Sequence, residues 1–300
     1  MVRRPLGNHH DGPDTLLVTS DTTRTKQVAA DTGNDDTGND DPGNDDPGND
    51  DPGNDDPGND DTGNDGTGNV TEHLRELITR ARVVLWDFDG PICRLFAGHK
   101  AEGVADGLVE WLEGRGLHGL LTDSERESLD PHVVLRAVDR RHPGSDLVTE
   151  LEERLTQEEL KATATAMPTA WADPLIRTLV ALKLRLAVTT NNSPRVAATY
   201  LASRGLTSCF APHIYGRTQE LSHLKPHPHC LNRALRAMGS APATALMIGD
   251  TPSDFLAASE AGVPFLGYAR NERKEKLLRG AGATTVVNSL ETVLAAARHT

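Results

Sequence analysis

From residue 83 onward, short apolar bursts alternate with helical patterns. The bursts are Val83-Val84-Leu85-Trp86, Arg185-Leu186-Ala187-Val188-Thr189, Ile214-Tyr215, Ala245-Leu246-Met247-Ile248, Pro264-Phe265-Leu266-Gly267 and Thr285-Val286-Val287. Brief apolar runs of this kind read as strands buried on both faces, and helices between them supply the crossovers that parallel strands require. Helices are expected near Pro194–Ser203, Pro228–Met238, Ser253–Ala261, Glu272–Leu278 and Leu290–Arg298. Several of these end at glycine, as helix stops often do. The pattern predicts an α/β fold with a Rossmann-like parallel sheet.

The stretch 96–172 breaks this rhythm. It has no strand signal, whereas Leu129/Val133/Ala137 and Leu147/Leu151/Leu155 repeat at i, i+4, i+8, the spacing of an amphipathic helix. An all-helical domain over 96–172 is therefore expected to interrupt an α/β core made of 70–95 and 173–300. Such an insert, directly after the first strand, lies at the strand ends where open parallel sheets bind ligands. It reads either as a lid over that site or as a bundle packed elsewhere on the sheet.

Residues 31–69 contain only Asp, Thr, Gly, Asn and Pro, arranged as a repeated Asp-Thr/Pro-Gly-Asn-Asp pentapeptide. With no apolar side chain to bury, the repeat has nothing to offset the entropy of ordering, so it is expected to be a disordered, self-repelling spacer. Calcium binding is the rival reading, because carboxylates are hard ligands. However, calcium-binding β-roll repeats have a period of about nine and need an aliphatic residue per turn. Residues 1–30 are polar and unpatterned, and are left unassigned. The repeat holds 14 of the 44 acidic residues, leaving 30 acids against 31 bases elsewhere. The net charge of −13 therefore belongs to the leader and says little about a substrate. Neither nucleic acid nor a membrane is an expected partner. No apolar run approaches the roughly 18 residues of a membrane span. Cys93, Cys209 and Cys230 are too few and too scattered for a disulfide framework. Together these features predict a cytoplasmic protein.

Four polar motifs follow successive strands. Trp86-Asp87-Phe88-Asp89-Gly90-Pro91 places two carboxylates at a strand end, with a glycine for a sharp exit. Thr189-Thr190-Asn191-Asn192-Ser193-Pro194 offers a hydroxyl, an amide and free N–H groups before a helix, which suits an anionic oxygen as well as ordinary capping. In Leu224-Lys225-Pro226-His227-Pro228 two prolines fix the turn that carries Lys225. The spacing of His223, His227 and His229 matches no helical ligand pair. Met247-Ile248-Gly249-Asp250-Thr251-Pro252-Ser253-Asp254 sets two carboxylates where a strand becomes a helix, a suitable place for Mg²⁺, which takes few protein carboxylates.

In this order the motifs closely resemble those of the haloacid dehalogenase-like (HAD) hydrolase superfamily. The likeness is to its phosphoglycolate phosphatase and β-phosphoglucomutase-like branch, which has a helical cap after the first strand. It runs from about Val83 to Val287, and includes Gly216-Arg217 and Ala257–Val263. The resemblance implies that Asp87 is the nucleophile, forming an aspartyl-phosphate, and that Asp89 is the general acid and then base. It implies phosphoryl-oxygen contacts from Thr190, the Asn191 backbone and Lys225. It also implies Mg²⁺ bound by Asp250, the Asp87 carboxylate and the Asp89 carbonyl, with Asp254 holding the metal's water shell or orienting Lys225. Pro91 stands where Thr or Val is more usual, so the loop after Gly90 is expected to differ slightly. Within this resemblance the second aspartate, Asp89, favours a phosphatase or a mutase, and the first reading is a phosphatase acting on a small phosphorylated metabolite. A phosphomutase of the same fold is the alternative, and a phosphoacceptor regulatory domain a distant one. The resemblance also implies that substrate choice lies in the cap, where Arg94, Phe96, His99 and Lys100 follow the catalytic loop and Trp111 and Trp171 lie further on. Oligomeric state is not legible in the sequence.

Overall fold

The computed structural model describes residues 66–300, with side chains from Thr71 onward. The polar tail 1–30 and the repeat as far as residue 65 lie outside the described residues. Helix α1 (Gly66–Arg80) begins four residues inside the stretch assigned to the repeat. It sends Leu74 and Ile78, one turn apart, fully into the core. No helix was expected there, because its first turn carries the repeat's own polar residues.

The core strands are β1 (Val83–Trp86), β4 (Arg185–Thr189), β5 (Ile214–Tyr215), β6 (Ala245–Gly249), β7 (Phe265–Tyr268) and β8 (Val286–Val287), and β2 and β3 belong to a separate ribbon described below. They form one parallel sheet in the order β5-β4-β1-β6-β7-β8. Central β1 aligns Val83 with Arg185 and Ala245, and Trp86 with Val188 and Ile248. Three strands therefore end at one level, which brings the polar residues after each of them to the same edge. The period-2 alternation of the strands sorts their side chains between two faces. Val84, Trp86, Leu186, Val188, Leu246 and Ile248 pack with α1, α6 (Ala172–Ala181), α7 (Pro194–Ser203) and α12 (Leu290–Arg298). Val83, Leu85, Ala187, Ala245 and Met247 pack with α9 (His229–Met238) and α10 (Pro252–Ala261). Helices α8 (Thr207–Phe210) and α11 (Glu272–Gly280) complete the core.

Between β1 and α6 the chain forms β2 (Cys93–Arg94), α2 (Ala101–Gly114), α3 (Asp123–Arg126), α4 (Pro131–Arg141), α5 (Asp146–Thr163) and β3 (Met167–Pro168). These helices bury their own apolar cluster, which includes Leu108, Leu112, Val134, Leu135, Leu151 and Leu155. Two details of the sequence reading are corrected here. Helix α4 starts at Pro131 under the Asp130 cap, so Leu129 precedes it and is 62% exposed; the buried face is Val134, Leu135, Ala137 and Val138. The stretch also holds one strand, because β3 pairs antiparallel with β2 at the neck of the insert. A two-residue ladder is too short to leave a periodic signal. Among the described residues no helix is long and apolar enough to cross a membrane.

Candidate active site

The backbone of β1 continues past its last residue, and the Asp87 N–H donates to the Ile248 carbonyl at 2.9 Å. This fixes Asp87 at the sheet edge. The chain then turns sharply at Gly90, whose φ of +128° no side chain adopts easily. A Cβ at Gly90 would also overlap the Asp250 carboxylate. The turn is held by the Gly90 N–H donating to the Cys93 carbonyl at 2.6 Å, and by the Leu95 N–H donating to Asp89 Oδ1 at 2.8 Å.

Lys225 is buried, an expensive place for an ammonium unless it is paired. Its Nζ donates to Asp87 Oδ1 at 2.7 Å, Asp254 Oδ1 at 2.5 Å and the Thr189 carbonyl at 3.0 Å. All three ammonium protons are thereby used, and the two carboxylates push the lysine pKa well above its ordinary value although burial opposes them. The loop carrying it is locked to the neighbouring motif. Asn191 Nδ2 donates to the Lys225 carbonyl and Asn191 Oδ1 accepts from the Lys225 N–H at 2.7 Å. Thr190 Oγ1 accepts from the Asn192 N–H at 3.1 Å.

Asp254 caps α10 from its third position. Its Oδ2 accepts from the N–H groups of Asp250 and Thr251 at 3.1 and 3.0 Å, and from Thr251 Oγ1 at 2.7 Å. Gly249 lies so close to Asp254 that a Cβ there would overlap it. With one oxygen in the cap and the other on Lys225, both oxygens of Asp254 are engaged.

Asp87, Asp250 and Asp254 bring carboxylate oxygens within 4.8 Å of one another, all three buried. Asp250 Oδ1 is buried with no hydrogen-bond partner, while Oδ2 is met by Lys274 Nζ from α11. A buried carboxylate oxygen without a donor is a costly arrangement. Hard oxygen ligands around such an atom fit a divalent cation of the Mg²⁺ kind. Burial, followed by the neighbouring carboxylate of Asp254, drives the pKa of Asp87 upward despite Lys225. Burial also drives Asp250 upward despite Lys274. Asp89 is pushed up to about 6, chiefly by burial and only partly countered by the Leu95 N–H.

A cavity of about 270 Å³ opens over this edge, lined among others by Asp87, Asp89, Thr190, Asn191, Lys225 and Asp254. All six of these sequence-named residues converge on it, and Asp250 sits beside them. The insert supplies the opposite wall through Phe96, Leu129 and His132. His99 instead pairs with Glu158 at 2.9 Å. Trp111 lies under the Arg115 guanidinium, and Trp171 stands at the residue before α6 with no capping bond from its side chain. The rings of His223, His227 and His229 gather, with the first and last stacked at 4.0 Å.

Residues not named as site groups tie the insert to the sheet edge. Arg217, following β5, donates to both oxygens of Glu159 of α5 at 2.8 and 3.1 Å. It also donates to Glu152 at 2.8 Å and to the Asn191 carbonyl at 3.0 Å. Glu159 accepts from Asn192 Nδ2 at 3.0 Å and from the Ser193 N–H at 3.1 Å. His132 Nε2 lies 3.1 Å from the Asn191 carbonyl. A signal was present, since Glu152, Thr156 and Glu159 follow i, i+4, i+7 and so form a polar stripe along one face of α5.

A family model described as haloacid dehalogenase-like hydrolase matches residues 81–262, more than half of the chain. Phosphoglycolate phosphatase of Rhodospirillum rubrum is 36% identical over 113 residues, covering 36% of this chain and 45% of the relative. The chain thus spans about half the length of the curated relatives it matches. A crystal structure from Clostridium acetobutylicum, described as a predicted phosphatase, superposes with a TM-score of 0.55 at 18% identity, covering 73% of this chain and 99% of the other. A haloacid dehalogenase-like family protein from Streptococcus pneumoniae gives 0.51 at 18%, covering 72% and 98%. At such identities the two structures speak for the fold alone.

Proposed function

The chain belongs to the haloacid dehalogenase-like hydrolases, and from that premise we propose that it is a Mg²⁺-dependent phosphatase for a small soluble phosphate monoester. The observation that carries this reading is Lys225, which joins Asp87 to Asp254 beneath a cavity floored by buried carboxylates. A phosphate dianion repels nucleophiles, so a catalyst must neutralise charge, align an attacking group and protonate the leaving oxygen.

In this reading Asp87 attacks phosphorus in line, the ester P–O bond breaks, and an aspartyl-phosphate forms. Asp89 gives its proton to the leaving alkoxide and then takes one from the water that hydrolyses the intermediate. Its raised pKa suits both tasks near neutral pH. Thr190, the Asn191 backbone and Lys225 hold the phosphoryl oxygens, Lys225 by redirecting to them the proton it gives Asp87 in the free site, and Asp254 keeps Lys225 in place. Asp87, Asp250 and the Asp89 carbonyl would hold Mg²⁺, which supplies charge neutralisation at the phosphoryl group when bound. The names of the curated relatives add support for a phosphoglycolate-like ester.

Purified protein should release phosphate from para-nitrophenyl phosphate with Mg²⁺ present, and Asp87→Asn should abolish that release. Retained turnover in the variant would overturn the nucleophile assignment.

A further inference from the structure

Two side chains of α4, His132 and Arg136, lie one turn apart and so share a face of the helix. Each reaches a backbone carbonyl of the core. His132 Nε2 lies 3.1 Å from the Asn191 carbonyl, and Arg136 Nη2 donates to the Lys225 carbonyl at 2.7 Å. His132 Nδ1 meets Asp130 Oδ1 at 3.2 Å, so both nitrogens of the ring face acceptors. Arg140 and Arg141 of the same helix pair with Glu125 inside the insert. Arg136, among the described residues, makes no ion pair with a carboxylate and turns to the core loop instead.

The two carbonyls belong to the turns that bring Thr190 and Lys225 to the cavity. The Asn191 side chain already stitches these turns together, bonding both the N–H and the carbonyl of Lys225. A peptide unit is planar, so the Asn191 carbonyl and the Asn192 N–H rotate as one body. That N–H donates to Thr190 Oγ1 at 3.1 Å. A bond from His132 at one end of the plane therefore sets the Thr190 hydroxyl at the other. Arg217 holds the same carbonyl from the core side at 3.0 Å. At Lys225 the ammonium is fixed by Asp87 and Asp254, and Arg136 fixes the backbone from which that side chain starts.

We propose that His132 and Arg136 are positioning residues for the transferred phosphoryl group, acting through the Asn191 and Lys225 peptide units. The inference rests on the phosphatase reading and deepens it. The sequence resemblance gives the insert the choice of leaving group, whereas these bonds give it a part in holding the group that every ester shares. Its effect on affinity is therefore independent of the leaving group.

The test measures binding of inorganic phosphate by calorimetry with Mg²⁺ present, beside kcat and KM for methyl phosphate and para-nitrophenyl phosphate. Arg136→Ala and His132→Ala should each weaken phosphate binding about tenfold, as loss of a hydrogen bond from a charged donor implies. KM should rise alike for the two esters. Arg136→Lys should keep most of the binding. Arg140→Ala, which cuts an ion pair within the insert, should leave it unchanged. In a Thr190→Val background His132→Ala should add little, because the hydroxyl through which it acts is gone. If His132→Ala does not fold, Arg136→Ala decides. Unchanged phosphate binding in Arg136→Ala, an equal loss in Arg140→Ala, a KM change confined to one ester, or a full further loss beside Thr190→Val overturns the positioning role alone. Unaltered protein that neither binds phosphate nor releases it from either ester overturns the phosphatase reading and the positioning role with it.

Discussion

The Glu159 carboxylate and the Arg217 guanidinium meet at 2.8 Å with both side chains wholly buried, one from the helical insert and the other from the loop after β5. Besides bonds to Glu152 and Thr156 of α5, they reach Asn191, Asn192 and Ser193, the turn next to Thr190. Docking of the insert and shaping of the turn after Thr190 therefore depend on the same pair. Removing one partner of such a buried pair strands the other and costs about 3–5 kcal/mol. Glu159→Ala and Arg217→Ala should each lower unfolding stability by that order in urea titrations. The double variant should cost much less than the sum of the two. Additive losses would show that the pair is not coupled.

The same joint predicts a pH dependence. Burial works against a charged His132, but hydrogen bonds to Asp130 and Glu159 raise its pKa to about 9, with Arg217 also close to the ring. Burial likewise opposes a charged Glu159, but Arg217 lowers its pKa to about 2. A raised histidine stabilises fully below its unfolded value near 6.5 and loses that contribution as pH climbs through the folded value. A lowered glutamate stabilises above roughly 4.5 and loses its contribution as pH falls through its folded value. Both contributions are complete only between about pH 4.5 and 6.5. His132→Gln should therefore cost on the order of 3 kcal/mol more at pH 6 than at pH 10. An equal cost at both values would mean that the imidazole is neutral throughout.

The carboxylate-bearing edge was far more legible in the sequence than this joint. Asp87, Asp89, Thr190, Lys225, Asp250 and Asp254 each follow a strand, and strand ends of a parallel sheet are forced to one edge by the register of β1 with β4 and β6. A linear motif therefore becomes a spatial cluster with little freedom. The stripe of Glu152, Thr156 and Glu159 marks a polar face of α5, but only the folding of the insert back over the sheet brings Arg217 to it. The shift at Leu129 has a local cause, which periodicity alone overlooks. The Asp130 cap and Pro131 decide where α4 starts, and they shift the buried face to Val134, Leu135 and Val138. Lys274 was hidden for another reason, since α11 reads as an ordinary charged surface helix and only the sheet order β1-β6-β7 brings its first turn to Asp250.

Asp250 holds one buried oxygen without a donor and one against Lys274. A divalent cation would satisfy the first and contend with the lysine charge at the second. Asp250→Asn should remove Mg²⁺ binding measured by calorimetry, together with the rise in melting temperature that Mg²⁺ gives by mass action. Lys274→Ala removes the rival cation and should tighten Mg²⁺ binding several-fold at low ionic strength. Weaker binding in that variant would mean that Lys274 supports the metal site instead of competing with it.

The core begins before its first strand, because Leu74 and Ile78 of α1 are buried against the face that carries α12. Each is a full-sized aliphatic side chain whose loss from a packed core costs about 2–5 kcal/mol. A chain starting at residue 66 keeps both, whereas one starting at residue 81 exposes the apolar surface they cover. The first truncation should match the full chain in melting temperature and turnover of para-nitrophenyl phosphate. The second should unfold at much lower denaturant or fail to accumulate as soluble protein. Because α1 also packs beside β6, the strand that leads into Asp250, partial survival of the second form should bring weaker Mg²⁺ stabilisation as well. Equal stability of the two truncations would show that the helix is dispensable.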